Sequence, residues 1–203
     1  MIRSKIITTA LTSLLLSSCV MDIGTNMYKS CTKEQLSHFK PAEASSQFKG
    51  NDTLNLLVYE INSKEIKKRL IGQQYTWVHM WRPYCKADYC ENINYPKNVS
   101  AKRNIQYLLL SQVYDLGNIR KSLARTAYDQ PVYVIQNSFY KMGSKTNGKN
   151  KAATQMRKEL NNNSKLTLSK WGDDLLFKDT ILIYAGQAAL DANKIDSLMS
   201  VYK

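Results

Sequence analysis

Residues 75–90, which read Tyr-Thr-Trp-Val-His-Met-Trp-Arg-Pro-Tyr-Cys-Lys-Ala-Asp-Tyr-Cys, decide the fold of this chain. Their first half is β-branched and aromatic, a composition that favours a pleated and largely buried strand. Pro83 ends the strand because its ring removes a donor from the hydrogen-bond ladder. Cys85 and Cys90 then follow at the expected start of a helix, whose positive end favours thiolate. The stretch therefore predicts a thiol site at the carboxyl end of a strand, where ligands collect in open α/β sheets.

Strand and helix patterns alternate along the rest of the chain. Apolar, β-branched runs predict strands at Leu54–Ile61, Ile105–Val113, Val132–Ile135 and Thr180–Ala185. Apolar residues at helical spacing predict helices at Ser63–Leu70, Leu116–Ala127, Ala152–Leu160 and Lys194–Tyr202. Strands separated by helices require crossover connections, so the order predicts an α/β fold with a largely parallel sheet.

Local signals refine three of these elements. Asn62, followed three residues later by Glu65, predicts a capping box at the start of the helix at Ser63–Leu70. Pro96 is expected to interrupt a helix that starts near Lys86, because a residue before proline avoids helical angles. Gly186 predicts a turn that pairs the last strand with a partner at Ala188–Ala192, as an antiparallel hairpin at one edge of the sheet.

The first residues have the three parts of a bacterial export signal. Residues 1–18 carry a basic start, a short apolar run and small residues directly before Cys19. The sequence ending at Cys19 resembles a bacterial lipobox, which implies that Cys19 is lipidated. We expect a signal peptide over 1–18, a lipidated tether over 19–52 and one domain over 53–203. A plain secretory signal, in which Cys19 is incidental, is the alternative.

Charge and cysteine content agree with export. The formal charge of +13 indicates a lysine-rich, solvated surface, and an exported chain will rarely meet nucleic acid. With Cys19 taken by lipid, three thiols remain in an oxidising compartment. Three is an odd number, so one thiol is left free or pairs outside the chain.

Trp81-Arg82-Pro83-Tyr84-Cys85 after an apolar strand resembles the approach to the active site of thioredoxin-like proteins. The resemblance implies a three-layer sandwich, with a central mixed sheet, helices on both faces and an inserted strand-helix segment that begins near Pro131. The family continues as Cys-x-x-Cys, whereas here Asp88 stands in the second cysteine's place and the next thiol is Cys90.

The same resemblance implies thiol–disulfide exchange on exported proteins or peptides, without a cofactor or a metal. Cys85 would attack the substrate disulfide, and Cys90 or else Cys31 would resolve the resulting mixed disulfide. Trp81, Tyr84 and Asp179, the last in the place of the family's cis-proline, would face the substrate. The alternative is an inactive thioredoxin-like domain that binds an envelope protein or peptide.

Export and lipidation together predict where the protein works. We expect a monomer in the cell envelope of a Gram-negative bacterium, held to the membrane by the lipid on Cys19. The domain would face the periplasm or the cell surface. His79 is expected to be a hydrogen-bonded residue of the core or a groove rather than a metal ligand.

Overall fold

A computed structural model of the chain describes residues 27–52, 54–86, 92–140, 151–166, 168, 174–186 and 191–202. The strands are β1 (Phe39–Pro41), β2 (Val58–Ile61), β3 (Tyr75–Trp81), β4 (Gln106–Ser111), β5 (Val132–Ile135), β6 (Asp174–Lys178) and β7 (Ile181–Gly186). The α-helices are α1 (Lys33–Ser37), α2 (Ser63–Leu70), α3 (Asn94–Ala101), α4 (Leu116–Thr126), α5 (Asn137–Tyr140), α6 (Lys151–Leu160) and α7 (Ala192–Val201). Two short 3₁₀ helices cover Tyr28–Ser30 and Ala42–Gln47.

The described strands form one mixed sheet in the order β1-β2-β5-β4-β3-β6-β7. The first five strands in this order run parallel, whereas β6 is antiparallel to both β3 and β7. The predicted α/β class and mixed sheet are therefore confirmed. The strand predicted at Val132–Ile135 has those bounds, and it lies between β2 and β4.

Strand β3 is in the interior of the sheet, and all seven of its residues are buried. Because successive side chains of a strand point to opposite faces, β3 contributes to the core on both sides. Val78 and Met80 pack with apolar residues of α2 and α6 on one face. Trp77 packs on the other face with residues of α3 and α7, and Trp81 packs there with residues of α4. Helices therefore cover both faces.

The predicted capping of α2 is confirmed in detail. The Asn62 side chain accepts from the backbone N–H groups of Lys64 and Glu65, and Glu65 accepts from the Asn62 N–H. This reciprocal pair satisfies donors that the first turn of a helix leaves free. Gly72, beyond the other end, has a φ of 80°, a left-handed conformation that glycine adopts without strain.

The segment that the sequence indicates as a tether contributes to the domain. Strand β1 pairs in parallel with β2, and Phe39 and Ala42 are buried. Tyr28 packs edge-to-face on Tyr114, with ring centroids 4.9 Å apart. The folded part therefore begins before residue 53, the predicted boundary. A three-residue strand with one buried side chain is too short to give a periodic signal.

The antiparallel hairpin involves a different strand from the predicted one. β7 pairs with β6, which precedes it, and the turn is at Asp179 and Thr180. Of the predicted partner segment, Ala192 opens α7 and residues 188–190 lie outside the described part. Both β6 and β7 are apolar, so periodicity alone did not distinguish which neighbour each strand pairs with.

Pro96 lies inside α3 and does not interrupt it. The helix begins at Asn94, so Pro96 is the third helical residue. The first N–H groups of a helix have no partner within it, and a missing donor therefore costs little at this position. The expected interruption is wrong, and the start predicted near Lys86 leads into residues 87–91, outside the described part.

Candidate functional site

Cys85 lies in a turn just beyond the carboxyl end of β3. Its backbone N–H donates to the carbonyl of Arg82 at 3.0 Å, and this bond closes the turn around Pro83 and Tyr84. Pro83 is buried, while Tyr84 and Cys85 are half-buried. The sequence therefore predicted both the position of this thiol and the strand that carries it.

The sulfur of Cys85 is engaged in a disulfide bond. Cys31 is a free thiol, so the partner of Cys85 is a cysteine outside the described residues. The pairing of Cys85 with Cys31, one of the two predicted possibilities, is not formed in this structure. Cys90, Asp88 and Cys19 all lie outside the described residues.

Cys31 has an environment that keeps its thiol protonated. Its Sγ donates to the carbonyl of Tyr114 at 3.3 Å and lies 3.5 Å from that of Met27. Burial raises the pKa of Cys31, and the nearby carboxylate of Asp115 raises this pKa further. Both effects disfavour the thiolate, which is the reactive form of cysteine.

Two of the three predicted substrate contacts are not where a substrate would meet them. Trp81 is only 2% exposed and packs in the core with residues such as Phe39 and Leu109. Asp179 is in the β6–β7 turn, where its N–H donates to the Gln74 carbonyl at 2.8 Å. Gln74 precedes β3 and Cys85 follows it, so about 20 Å of strand separates them. Only Tyr84 lies next to Cys85.

The reason for the misplaced Asp179 is the hairpin. Asp179 precedes the strand predicted at Thr180–Ala185, which is why it is matched to the family's cis-proline, whereas β6 is the strand that pairs with β3. The residue that precedes β6 is residue 173, outside the described part of the chain. Among the described residues no peptide bond is cis.

A buried carboxylate, which the sequence did not reveal, lies near the carboxyl end of β3. Trp77 Nε1 donates to Asp174 Oδ1 at 2.7 Å, and His79 Nδ1 hydrogen-bonds to the same oxygen at 2.7 Å. Asp174 is 1% exposed and His79 is 5% exposed. The His79 ring also stacks on Tyr107, with centroids 6.3 Å apart. This Asp174 network, made of Asp174, Trp77 and His79, satisfies the polar atoms of two buried aromatic side chains.

One sequence signal points toward this network. Trp77 and His79 are two residues apart on a strand, so their polar nitrogens face the same side and each needs a partner when buried. The prediction that His79 is a hydrogen-bonded core residue is confirmed. The partner of His79 is Asp174, which lies 95 residues away in the sequence. A local sequence pattern cannot predict a contact over that separation.

Tyr114 joins the carboxyl ends of β2, β4 and β5. Its hydroxyl donates to Glu60 Oε1 at 2.5 Å and accepts from the Asn137 N–H at 3.0 Å. Burial raises the pKa of Tyr114 well above its usual range, and the Glu60 carboxylate adds to this effect. The phenol therefore remains a hydrogen-bond donor, which suits a structural link better than proton transfer near neutral pH.

A second tyrosine connects α2 with α5 and α6. The Tyr140 hydroxyl accepts from the Ser63 N–H at 3.0 Å and lies 3.3 Å from Glu159 Oε2, which also accepts from the Ser63 hydroxyl. Burial raises the pKa of Tyr140 to about 12. Burial acts upward on the pKa of Glu159 as well, but hydrogen bonds from Ser63, Gln155 and Tyr140 outweigh it, and the pKa is lowered.

Within the described ranges, no group of three or more histidine, cysteine, aspartate or glutamate side chains is arranged to hold a metal ion. None of the described helices is both long enough and apolar enough to cross a membrane. Comparison of the chain with protein-family models, with curated proteins and with solved structures gives no match in any of the three.

Proposed function

We propose that this protein is a membrane-anchored, thioredoxin-like protein that exchanges disulfides with exported proteins through Cys85. The observation that carries the proposal is the disulfide-bonded, half-buried Cys85 in the turn beyond the carboxyl end of β3. Ligands and chemistry collect at this edge of open α/β sheets. A disulfide in a turn directly after an interior strand is held by a rigid scaffold and stays within reach of a partner.

The arrangement of strands around β3 supports the thioredoxin-like part of the proposal. β3 has a parallel neighbour, β4, on one side and the antiparallel hairpin β6–β7 on the other. Helix α7 follows the hairpin and packs through Ile195 on the face that carries Trp77. This order and these directions agree with those expected at the end of a thioredoxin-like domain, and under the proposal β5, between β4 and β2, is the inserted strand.

The exchange that we propose proceeds in two steps. The reduced form attacks a substrate disulfide with the Cys85 thiolate, which forms a mixed disulfide and releases one substrate thiolate. Cys90 then attacks Cys85, which frees the second substrate thiolate and restores the disulfide within the protein. Two electrons pass from the protein to the substrate, and the reverse sequence oxidises a substrate dithiol. Tyr84, next to Cys85, would contact the substrate.

Cys31 has no part in this exchange under the proposal. It is free while Cys85 is bonded, and its raised pKa makes it a poor nucleophile near neutral pH. The lipobox-like sequence at Cys19 supports a lipid anchor in the envelope of a Gram-negative bacterium. Exported proteins or peptides would then be the substrates.

One observation favours a second function, the binding of an envelope protein or peptide without exchange. Asp88 stands where the family has its resolving cysteine, and a nearby carboxylate disfavours the thiolate. In that case the disulfide of Cys85 would be a structural clip at the edge of the domain.

The test is the reduction of insulin by dithiothreitol, followed by the appearance of turbidity. The wild type is expected to accelerate the reaction, Cys85→Ser to match the uncatalysed rate, and Cys31→Ser, the matched control, to behave like the wild type. Cys90→Ser should accumulate a mixed disulfide at Cys85, which mass spectrometry detects. Equal rates for the wild type and Cys85→Ser would reject the exchange in favour of the binding function.

A further inference from the structure

Exposed apolar side chains concentrate at one edge of the sheet, opposite Cys85. We call it the amino edge, and it consists of the segments that lead into β2, β3, β4, β5 and β7 together with the end of α7. Eight large apolar side chains in the described part are 36% exposed or more. Six of them lie on the amino edge: Leu54, Leu57, Ile71, Ile181, Val201 and Tyr202. Single exposed apolar side chains are common, but their concentration on one surface indicates a binding face.

Three of these segments meet at the start of β3. In the β6–β7 turn, which precedes β7, the Asp179 N–H donates to the Gln74 carbonyl at 2.8 Å, and Gln74 is in the loop that carries Ile71. The Tyr75 hydroxyl donates to the carbonyl of Tyr202 at 3.3 Å, so the end of α7 lies at the same place. The exposed apolar side chains of three separate segments are therefore neighbours.

The segment before β2 extends the amino edge toward β5. The Asn51 side chain donates to the carbonyls of Tyr128 and Gln130 at 2.7 and 2.9 Å, just before β5 begins. Leu57 directly precedes β2, and Leu54 lies between these two points. Both ends of the segment are thus fixed at the amino edge.

A cleft of about 320 Å³ opens on the amino edge between the end of α2 and the β6–β7 turn at Thr180. Its lining combines apolar side chains with exposed lysines: Leu70, Ile71, Leu160, Lys64, Lys67 and Lys68. None of the described carboxylates lines it. Apolar walls beside ammonium groups complement a ligand that has a hydrocarbon part and an anionic head.

Basic side chains accompany the apolar ones along the whole amino edge. Its basic residues outside the two ion pairs named next are Lys67, Lys68, Lys102, Arg125 and Lys178. Lys97 and Arg103, near the same edge, form ion pairs with aspartates. The other described carboxylates close to it are Asp52, Asp179 and Glu43, which is near Lys68. The net charge of this surface is therefore positive.

We propose that the amino edge docks the domain on an anionic phospholipid bilayer. Ile71, Ile181 and Val201 enter the headgroup region, and Lys67 and Lys68 face the lipid phosphates. The inference rests on the proposed membrane anchor and adds the orientation of the domain to it. Exposed apolar side chains surrounded by basic ones are the combination that binds bilayer interfaces. Cys85 then points away from the membrane, because it follows β3 at the other edge, about 20 Å from the bilayer surface.

The length of the N-terminal chain permits this orientation. Cys31 contacts the carbonyl of Tyr114, which follows β4, so the first described residues lie near the carboxyl edge. Cys19 precedes Met27 by eight residues. Eight residues span up to about 28 Å, and a strand of the length of β4 spans about 20 Å. A lipid on Cys19 can therefore reach the level of the amino edge.

The test uses the full chain, purified from membranes and reconstituted in vesicles. One set of vesicles is phosphatidylcholine alone, and the other has equal parts of phosphatidylcholine and phosphatidylglycerol. Hydrogen exchange followed by mass spectrometry should show residues 71–74, 179–182 and 198–202 exchanging at least about fivefold more slowly on the anionic vesicles, the effect of one basic side chain at such a surface. Residues 82–85 should exchange equally on both.

The outcomes separate the docking from the anchor. Equal exchange of the amino edge on both kinds of vesicle would overturn the docking. Protection of this edge in detergent that grows with protein concentration would also overturn it, because a second copy of the chain would then cover the surface. Retention of the chain on neutral vesicles measures the anchor separately, and its loss would reject the proposed anchoring, while the exchange difference still decides the docking.

Variants test whether these side chains make the contact. Lys67→Gln combined with Lys68→Gln, and Ile71→Gln alone, should each reduce the protection to about twofold or less. The matched control is Lys33→Gln combined with Lys194→Gln, which removes the same charge from exposed positions in the first turns of α1 and α7, away from the amino edge. Equal loss of protection in the lysine pair and in its control would show a general charge effect and overturn the docking surface.

Discussion

Replacing Asp174 with alanine tests how much the Asp174 network stabilises the fold. The substitution leaves Trp77 Nε1 and His79 Nδ1 without their acceptor in a region where all three residues are at most 5% exposed. A buried donor that loses its partner costs about 1–3 kcal/mol, and the substitution leaves two such donors without an acceptor. We therefore expect the free energy of unfolding to fall by about 4 kcal/mol.

That loss is large relative to the total. A domain of this size has a free energy of unfolding of about 5–15 kcal/mol, and 1 kcal/mol shifts its melting temperature by about 2–4 °C. The expected fall in melting temperature is thus about 8–16 °C. The measurement is urea unfolding followed by circular dichroism and tryptophan fluorescence, with thermal melts of the same samples.

Asp196→Ala is the matched control. Asp196 also accepts hydrogen bonds from a basic group, Arg103, but its side chain is 57% exposed. Exposed ion pairs contribute little, so this variant should unfold near the wild-type midpoint. Combining Asp174→Ala with Trp77→Phe isolates their coupling, which we expect to be at least about 1 kcal/mol. If Asp174→Ala costs no more than Asp196→Ala, the reasoning about the network is refuted.

Three further predictions concern other parts of the domain. Cys31 should react with iodoacetamide more slowly in the folded protein than in guanidinium at pH 8, because burial and Asp115 raise the pKa of its thiol, and equal rates would contradict this. The lowered pKa of Glu159 means that its carboxylate stabilises the fold above its ordinary pKa of 4.5 and that this contribution is lost as the pH falls through the folded-state pKa. Glu159→Gln should therefore show a smaller loss of stability than the wild type in urea melts between about pH 5 and pH 3, and parallel curves would exclude the effect. Phe39→Ala should lower the free energy of unfolding by about 3 kcal/mol, because Phe39 is buried. Leu54→Ala is the control, since the Leu54 side chain is 80% exposed and its loss should leave the stability unchanged. An unchanged stability of Phe39→Ala would show that β1 does not contribute to the folded domain.

The sequence predicted best those elements whose signals are local. The bounds of α2 and its capping box depend on residues within one turn, and β5 is a run of β-branched and aromatic residues after a proline. Both are found as predicted. The position of Cys85 beyond a buried strand was also predictable, because the strand and the proline that ends it are adjacent to it.

The remaining features depend on contacts between distant residues. Asp174 meets His79 across 95 residues, and β1 consists of three residues that only their pairing with β2 orders. The placement of Asp179 depended on which strand pairs with β3, and two apolar strands in succession do not reveal this. Periodicity reports which side of an element is buried, but not which element covers it.

The position of β5 has a consequence for how the chain folds. Among the described strands, β1 and β2 are connected to the rest of the sheet only through β5, which pairs with β2 on one side and β4 on the other. The chain must therefore leave the edge of β4 unpaired until residues 132–135 arrive, although β2 precedes them by about seventy residues. Such long-range pairing is slow, and an open strand edge invites association with other chains. A folding intermediate that lacks β5 would present two open edges, one on β2 and one on β4, and its lifetime would decide how readily the protein aggregates.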